Sequence, residues 1–401
     1  MEYDVLVIGG GPAGLAAAIS ASKRGAKVAL AEKDATPGGI LNQCIHNGFG
    51  LKYFGEDLTG TEFAARILSL LPEEVKVFTE TTAIAIDEDK TVTLINPVNG
   101  KFRLKAKSVV LATGCRERTA GEAKIPGDRP SGVYTAGTVK KLINMYGYLP
   151  GKRAVIVGSG DVGLITARRL TLEGAEVLGV FEKLPYPSGL RRNIQACLQD
   201  YNIPLRYNTT VSGIIGRKKL EGVIVTDSNG KTEYVACDLL VLALGLIPEN
   251  CLAEKLVGMS DKTMSAIVSE NRETSVPGLF MCGNALHVHD LVDDVASEAE
   301  KAGASAADYA LSQSHVDRAE YPIKCGEGIA YTVPQKFFEG DGSAEIYFRA
   351  DRVFPKCRVS VRSDGKTIYE TSFDRLLPSE QKSISFPKYG CKEVTIEVKN
   401  E

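Results

Sequence analysis

Two short segments of the sequence carry side chains that could take part in redox or proton chemistry. These side chains are Cys44 and His46 in the first segment, and His287 and His289 in the second. A cysteine thiolate can donate charge to an electron-poor ring, and peroxide can oxidise it to a sulfenic acid. Histidine can relay protons near neutral pH. The structural alternatives are a packed loop cysteine and hydrogen-bonded core histidines.

The segment His287–His289 holds two of the four histidines and is the best acid/base candidate. The sequence places no further cluster of ligand-type residues beside it, so we expect no metal. The nine cysteines are at positions 44, 115, 197, 237, 251, 282, 325, 357 and 391. None belongs to a Cys-x-x-Cys pair, which argues against structural zinc, an iron–sulfur cluster and a thioredoxin-type redox pair.

The composition indicates an ordinary globular protein, with 44% apolar and 24% charged residues among 401. This length predicts two or three domains. The net charge of −2 and the lack of a long basic run argue against nucleic acid as a partner. The longest apolar run, Leu239 to Ile247, is about half a membrane span. Unclustered cysteines and the absence of a secretory signal pattern predict a cytoplasmic protein without a transmembrane segment, although peripheral membrane contact stays open.

A glycine-rich loop between an apolar strand and a helix occurs twice. The first copy consists of a strand over 3–8, Gly9, Gly11 and Gly14, a helix to about Arg24, and a strand over 27–31 that ends on Glu32. In this pattern Gly9 allows a tight turn, Gly11 lets the backbone approach a pyrophosphate, and Gly14 lets helix and strand pack closely. The helix N-terminus attracts the pyrophosphate, and Glu32 accepts hydrogen bonds from a ribose.

The second copy repeats each part of the first. It consists of a strand over 153–157, Gly158, Gly160 and Gly163, a helix to about Glu173, and a strand over 176–181 that ends on Glu182. One such loop could be an ordinary turn, but two in register predict two dinucleotide sites. An acid at Glu182 favours the free 2′-hydroxyl of NAD(H) over the phosphate of NADP(H). Arg191 and Arg192 could reach a phosphate, although a solvated helix start is the favoured explanation for them.

Further strands and turns follow each glycine loop. Short strands over 75–104 and a strand over 108–111 lead into Ala112-Thr113-Gly114, and a strand over 238–244 leads to Gly245. Later, residues 278–284 predict a strand and turn ending on Gly283 and Asn284, before an Ala-rich helix over 292–311. From Tyr321 onward, alternating runs over 344–349, 358–362, 367–371 and 394–398 predict a small all-β domain of sandwich type.

Together, the two glycine loops, Ala112-Thr113-Gly114 and the segment 278–284 resemble the pyridine nucleotide–disulfide reductase superfamily over about residues 1–315. The resemblance implies an α/β fold with two Rossmann-like domains. The FAD domain would comprise 1–120 and 250–316, the inserted NAD(P)H domain 121–249, and the β domain 317–401. It also implies FAD contacts from Gly38, Gly39, Ala112, Thr113, Gly114, Gly283, Asn284, Val295 and Ala296. The helix starting around 294–297 would face flavin N1/O2.

Two features depart from the superfamily pattern. Asn284 stands where the family has an aspartate near the FAD ribityl group. The dithiol is also missing, because one branch places two cysteines after the glycine pair and Cys44 is alone there. The other branch places Cys-x-x-Cys before the second loop, where residues 132–138 contain no cysteine. Intramolecular dithiol chemistry is therefore not expected.

A narrower resemblance involves the segments 39–50, 113–118 and 282–290. They are similar to a bacterial branch that accompanies anaerobic glycerol-3-phosphate dehydrogenases and is related to the alpha subunits of opine, sarcosine and proline dehydrogenases. This resemblance implies a flavoprotein that passes electrons between NAD and a partner flavoprotein. It also places Cys44 and the histidines at 46, 287 and 289 near the flavin ring.

Three functions remain open from the sequence. The first is an NADH oxidoreductase subunit that exchanges electrons with a partner dehydrogenase. The second is a self-contained NADH-dependent reductase of peroxide, oxygen or small disulfides that uses Cys44. The third is a non-catalytic flavin-holding scaffold subunit.

Overall fold

The computed structural model of the chain describes residues 2–312 and 319–400. The chain forms two compact units. Residues 1–42, 46–115 and 248–401 form the first unit, and residues 43–45 and 116–247 form the second. The domain boundaries predicted from the sequence, near residues 120, 250 and 316, remain a proposal. The boundary at 316/317 lies outside the described residues.

The N-terminal part of the first unit is built on a parallel sheet with an antiparallel extension. Strands β1–β9 are Glu2–Ile8, Val28–Ala31, Asn47–Phe49, Leu58–Thr59, Lys76–Phe78, Thr82–Ile86, Thr91–Asn96, Gly100–Leu111 and Cys115–Glu117. The helices are α1 (Pro12–Lys23), α2 (Gly60–Ser69) and a 3₁₀ turn (Gly39–Gln43). The sheet order is β5-β2-β1-β8-β7-β6, in which β1 runs parallel to β2 and β8. Because β1 lies inside the sheet, its residues 5–8 are all buried apolar side chains.

Local sequence signals explain where the first two helices begin. Helix α1 starts with Pro12, whose fixed φ suits a first helical position. Helix α2 starts with a capping box, in which Thr59 and Glu62 satisfy each other's backbone N–H groups. Helix α1 buries an alanine face in the core of the first unit.

The second unit contains a five-stranded parallel sheet and a smaller antiparallel sheet. Strands β10–β18 are Val133–Thr135, Arg153–Val157, Glu176–Phe181, Leu205–Arg206, Thr209–Ile215, Gly222–Asp227, Thr232–Ala236, Leu239–Leu242 and Leu246–Pro248. The helices are α3 (Ala136–Tyr146), α4 (Asp161–Leu172), α5 (Arg191–Cys197) and a 3₁₀ turn (Gln199–Tyr201). The parallel sheet has the order β10-β17-β11-β12-β13, and β14, β15 and β16 form the antiparallel sheet.

After the second unit, the chain returns to complete the first sheet. The next elements are β19 (Met259–Ser260), β20 (Ser265–Ala266), β21 (Leu279–Met281), a 3₁₀ turn (Gly283–Ala285) and α6 (Val292–Leu311). Strand β21 pairs in parallel with β8. Helix α6 packs against α1 so closely that a Cβ added at Gly303 would lie 2.1 Å from the Ala17 carbonyl oxygen.

The C-terminal region consists of two packed β-sheets. Its strands β22–β29 are Glu320–Cys325, Ile329–Val333, Lys336–Phe338, Ser343–Ala350, Cys357–Ser363, Lys366–Phe373, Lys382–Pro387 and Val394–Asn400. The sheet orders are β24-β22-β29-β26-β27 and β23-β25-β28. Phe337, Val359 and Phe386 are among the core residues that both sheets contribute. The predicted fold class, two parallel α/β sheets followed by a β region, is confirmed.

Candidate active site

The first glycine loop brings β1, α1 and β8 into close contact. A Cβ at Gly14 would lie 1.7 Å from the Gly9 carbonyl oxygen, and one at Gly9 would lie 2.3 Å from the Ala112 carbonyl oxygen. Only glycine fits at these two positions. Gly11 is different, because an added Cβ would meet nothing closer than the Gly39 Cα at 3.9 Å. The backbone at Gly11 is therefore open to a close ligand, as a pyrophosphate requires.

Helix α1 begins without a competing anion. Its N-cap, Gly11, provides no side-chain cap, and its first turn contains no acid. The first backbone N–H groups of the helix therefore keep their hydrogen-bonding capacity and their positive potential. These N–H groups suit the pyrophosphate of FAD, so the residues of the loop fit this cofactor.

Glu32 is buried at the end of β2, as a ribose ligand must be. Its Oε2 accepts a hydrogen bond from Gly10 N at 2.6 Å, and its Oε1 accepts one from Asp34 N at 2.7 Å. Each carboxylate oxygen has a second lone pair, so Glu32 can also accept from a ribose diol. The two backbone donors fix its orientation.

The other predicted FAD contacts belong to the same unit and converge on this loop. Gly38 N donates to the Gly10 carbonyl oxygen at 2.8 Å. A Cβ on Gly283 would lie 2.7 Å from Ala13 Cβ and 3.3 Å from a Val295 methyl group. The remaining predicted members are Gly39, Ala112, Thr113, Gly114, Asn284 and Ala296, all in the first unit. Asn284 Oδ1 accepts from His289 N at 2.9 Å.

Helix α6 begins at Val292, the start of the predicted range 292–311. Its first turn contains Asp293 and Asp294. The Asp293 carboxylate accepts hydrogen bonds from the backbone N–H groups of Gly50, Lys52 and Tyr53 at 2.8–3.2 Å. These acids offset part of the positive potential of the helix end. The positive potential that the start of α6 would present to flavin N1/O2 is therefore reduced.

The second glycine loop has the same backbone geometry in the second unit. A Cβ at Gly158 would lie 2.1 Å from the Ala243 carbonyl oxygen, and one at Gly163 would lie 2.7 Å from the Gly158 carbonyl oxygen. An added Cβ at Gly160 would meet nothing within 4 Å, and the same holds at Gly245. The second loop thus repeats the residue pattern of the first, with Gly160 as its open position. Each glycine loop, together with the glutamate at the end of the following strand, is called a dinucleotide cradle below.

Glu182 is buried at the end of β12 and is more heavily engaged than Glu32. Its Oε2 accepts from Ser159 N at 3.0 Å, from Ser159 Oγ at 2.5 Å and from Ser188 Oγ at 3.3 Å. Its Oε1 accepts only from Leu184 N at 2.9 Å. Oε1 is therefore the atom of Glu182 with capacity for a ribose hydroxyl.

The segment after Glu182 folds back onto the glycine loop. Gly189 N donates to the Ser159 carbonyl oxygen at 2.9 Å, and Leu190 N donates to Asp161 Oδ1 at 2.8 Å. Asp161 lies in the first turn of α4, so this helix start carries an acid that α1 lacks. Arg191 and Arg192 are exposed at the start of α5, which fits the solvated helix start considered above.

Beside Gly283, the histidines of the segment His287–His289 join a buried charge cluster. Glu298 Oε1 lies 3.0 Å from His287 Nε2, and Oε2 lies 3.0 Å from His289 Nε2. Arg272 Nε donates to Oε1 at 2.9 Å, and Gly283 N donates to Oε2 at 2.9 Å. Glu298 thus stands beside the two histidines as a third ligand-type residue, which the sequence did not indicate.

Burial and neighbouring charge set the protonation of this cluster. Burial, reinforced by His289 and Arg272 and opposed by Glu298, lowers the pKa of His287 to about 4. Burial would raise the pKa of the Glu298 carboxyl, but His287, His289 and Arg272 hold that pKa well below its usual range. At neutral pH, His287 is therefore neutral and Glu298 is ionised.

Charge balance favours an ion-paired cluster over a metal centre. The Arg272 guanidinium already compensates the charge of the Glu298 carboxylate, beside a neutral His287. A divalent cation on His287, His289 and Glu298 would add two uncompensated charges to a fully buried site, which desolvation strongly opposes. The expectation of no metal stays a prediction. The acid/base role of the two histidines also stays a prediction, and their 1% and 7% exposure limits direct access.

Cys44 belongs to the second unit, whereas His46 belongs to the first. Cys44 is buried in the second unit, where its Sγ lies 3.7 Å from Lys140 Nζ. Gln43 Nε2 donates to the Gly137 carbonyl oxygen at 3.1 Å and so attaches this short segment to α3. His46 is half-buried, with its Nδ1 2.9 Å from the Asn47 carbonyl oxygen.

Three residues of these clusters were missed by the sequence reasoning: Arg272, Glu298 and Lys140. A signal existed for Glu298, because it lies on the buried face of α6 with Val295, Ala299 and Ala302. An acid on an otherwise apolar helix face requires a buried partner. Arg272 and Lys140 have no comparable local signal.

Comparisons with known proteins agree with this geometry. A family model described as pyridine nucleotide-disulphide oxidoreductase matches residues 3–306. The alpha chain of the sarcosine oxidase from Rhizobium meliloti (strain 1021) is 31% identical over 61% of this chain and 24% of that protein. One component of the opine oxidase from Agrobacterium tumefaciens (strain Ach5) is 27% identical over 70% of this chain and 61% of that protein. The chain thus spans less than two thirds of either relative.

A solved structure shows the same fold at low identity. The crystal structure of T. acidophilum thioredoxin reductase superposes with a TM-score of 0.64 and 22% identity. The match covers 78% of this chain and 99% of that chain. Within the described part of the chain, no helix is both long and apolar enough to span a membrane.

Two dinucleotide cradles on separate parallel sheets define the class of FAD-dependent oxidoreductases that use pyridine nucleotides. The chain belongs to the pyridine nucleotide-disulphide oxidoreductase family. It differs from both dithiol-bearing branches because Cys44 is the single cysteine after the glycine pair and no Cys-x-x-Cys pair is present in its sequence.

Proposed function

We propose that the chain is an NADH-dependent flavoprotein subunit that exchanges electrons with a partner dehydrogenase. The main support for this proposal is that the chain combines two dinucleotide cradles with the lack of an internal dithiol. Without an internal dithiol to receive them, electrons from the flavin go to a separate acceptor in this proposal. The similarity to proteins named as subunits of sarcosine and opine oxidases supports a protein partner.

The residues of each cradle hold their nucleotide rather than react with it. In this proposal Gly11 and the start of α1 hold the FAD pyrophosphate, while Glu32 holds the ribose. Gly160 and Glu182 do the same for NADH, and the Glu182 carboxylate disfavours NADPH because it repels a 2′-phosphate. Bound FAD supplies hydride exchange with the nicotinamide, a step that depends on positioning more than on a protein acid or base.

Rapid mixing tests the catalytic part of this proposal. FAD-loaded protein mixed anaerobically with NADH should lose its flavin absorbance within seconds, and NADPH should bleach it more slowly. Replacing Gly160 with Val should abolish bleaching by NADH without releasing FAD, because the side chain would fill the second cradle alone. An unbleached flavin in the unmodified protein would leave only the scaffold function.

One observation supports a second candidate, the self-contained reductase. The buried Lys140 ammonium lies beside Cys44 and could stabilise a thiolate there. A Cys44→Ser variant separates the two candidates, with Cys251→Ser as an exposed control. If the chain works as a subunit, NADH-to-dye turnover survives in both variants. Collapse of NADH oxidase or peroxidase turnover in Cys44→Ser alone would instead establish the reductase.

A further inference from the structure

The C-terminal β region holds the chain segment that follows the flavin-site residue Asn284. Arg349, on strand β25, donates from Nη2 to the Val288 carbonyl oxygen at 3.0 Å and to Asp290 Oδ1 at 2.5 Å. Its Nε donates to the Tyr331 hydroxyl at 2.9 Å. The Arg349 side chain is only 12% exposed, whereas its partner Asp290 is 35% exposed. A charged donor with three partners fixes the segment in place.

Gln381 provides a second attachment to the same segment. Its backbone N donates to Asp290 Oδ2 at 2.6 Å, and its side-chain Nε2 lies 3.0 Å from His287 Nδ1. An amide nitrogen can only donate, so Nδ1 accepts and the His287 ring proton sits on Nε2. That proton points to Glu298 Oε1. Gln381 thus selects the tautomer that the buried cluster needs.

The segment 287–290 is in turn linked by hydrogen bonds to Gly283 and Asn284, two of the residues expected to contact FAD. His289 N donates to Asn284 Oδ1, and Glu298 accepts from Gly283 N. A continuous set of hydrogen bonds therefore runs from the C-terminal β region, through the segment 287–290, to Gly283 and Asn284. All of its members lie within the first unit.

We propose that Arg349 and Gln381 are positioning residues of the flavin site, acting through the segment 287–290 on Gly283 and Asn284. This inference rests on the proposed function, because it takes Asn284 as an FAD contact. It gives the C-terminal β region a part in flavin binding and in setting the flavin's electrostatic surroundings. A passive stabilising module would have no such part.

The charged groups around His287 allow a sharp test. The titratable or charged side chains that face His287 are Glu298 from α6, Arg272 from the loop before β21, His289 from its own segment, Tyr331 from β23 and Tyr347 from β25. Gln381 faces the remaining ring nitrogen. A Gln381→Glu substitution would place a carboxylate there, favour a proton on Nδ1 and raise the pKa of His287.

The first experiment measures the flavin midpoint potential of the full-length FAD-loaded protein from about pH 8 to about pH 5. Gln381→Glu should show an inflection in this range, with a higher potential at low pH, because an added positive charge stabilises the reduced flavin. The unmodified protein should show none from His287. Gln335→Glu is the matched control, since Gln335 also joins the β region to the rest of the first unit, by accepting a hydrogen bond at 2.9 Å from Val268 N, just after β20.

The second experiment measures the rate of FAD release after dilution. Arg349→Lys keeps the charge but loses the guanidinium geometry, so release should be about tenfold faster. Arg358→Lys, at an exposed ion pair with Glu370, should match the unmodified protein. If Gln381→Glu cannot be obtained folded, this comparison decides alone. Variants that behave like their controls would overturn the inference while leaving the proposed function intact, whereas failure of the unmodified protein to bind FAD would overturn both.

Discussion

Glu32 and Glu182 occupy equivalent positions in the two cradles but have different surroundings. Each Glu32 oxygen accepts one backbone hydrogen bond, whereas Glu182 Oε2 takes three contacts and Oε1 takes one. Serines 159 and 188 account for the difference. Glu182 is thus fixed by its own loop, and its remaining acceptor capacity is concentrated on one oxygen atom. Nucleotide preference should therefore depend strongly on this side chain.

A Glu182→Gln variant should lose nucleotide discrimination. The amide cannot offer a second acceptor oxygen and does not repel a 2′-phosphate. We expect kcat/KM for NADH to fall about tenfold, or about 1.4 kcal/mol, with a smaller change for NADPH. Steady-state dye reduction with both nucleotides measures the ratio. Glu32→Gln is the control and should reduce FAD content instead, and an unchanged ratio in Glu182→Gln would contradict the assignment.

At the residue scale, the sequence predicts those functional residues whose contacts are made with residues close to them in the chain. The glycines and acids of the cradles were found because a strand, a turn and a helix fix their geometry within about 25 residues. The cluster of Arg272 with Glu298 was missed, because it depends on how β21 and α6 pack. The same holds for Lys140 beside Cys44, which are 96 residues apart.

At the scale of elements, helices α1 and α6 support the FAD cradle from opposite ends of the sequence. Both present alanine faces, including Ala17, Ala299 and Ala306, which let the two helices approach closely. Gly303 sits at the closest approach. Substitution there sets two effects against each other, since alanine favours a helix by about 1 kcal/mol but would overlap the Ala17 backbone.

In a Gly303→Ala variant, the cost of the steric overlap should exceed the gain in helix propensity. Because the atom contacted is a backbone carbonyl at 2.1 Å, side-chain rotation cannot relieve it. We expect the free energy of unfolding to fall by about 2 kcal/mol and FAD retention to weaken. Thermal unfolding followed by circular dichroism measures the loss. Gly258→Ala, whose Cβ would lie 3.8 Å from Ser275 Oγ, should have little effect.

Element prediction succeeded where periodicity was strong. Strands Arg153–Val157 and Glu176–Phe181 and helix Val292–Leu311 have the predicted bounds. In the C-terminal region, four strands were not predicted individually: Glu320–Cys325, Ile329–Val333, Lys336–Phe338 and Lys382–Pro387. Glu320–Cys325 and Lys382–Pro387 contain a proline and exposed polar residues, and Lys336–Phe338 has only three positions, so alternation alone does not distinguish these three from loops.

At the scale of the whole molecule, the buried cluster links pH to stability. His287 has a folded pKa of about 4, below its ordinary value of 6.5. The unfolded chain therefore binds more protons between these two values. The contribution of His287 is fully present above about pH 6.5 and is lost as the pH falls toward 4. Glu298 acts in the same direction at still lower pH, because its folded pKa is also depressed.

Unfolding in urea should show this dependence. Between pH 7 and pH 5, we expect His287 to account for a loss of about 2 kcal/mol. A His287→Gln variant should start less stable but lose less over the same pH interval. His46→Gln, at the half-buried histidine, should retain the slope of the unmodified protein. Equal slopes in all three proteins would show that His287 titrates normally in the folded state.

The close contact of Ala17 with Gly303 also has a consequence for biosynthesis. The sheet and helices of the second unit come almost entirely from the continuous stretch 116–247, so they can assemble as soon as that stretch leaves the ribosome. Strand β1 and helix α1 are made first but lack β21 and α6 until residue 311 has emerged. We therefore expect the second unit to fold before the N-terminal segment that contains β1 and α1, because the alanine face of α1 stays uncovered during most of translation.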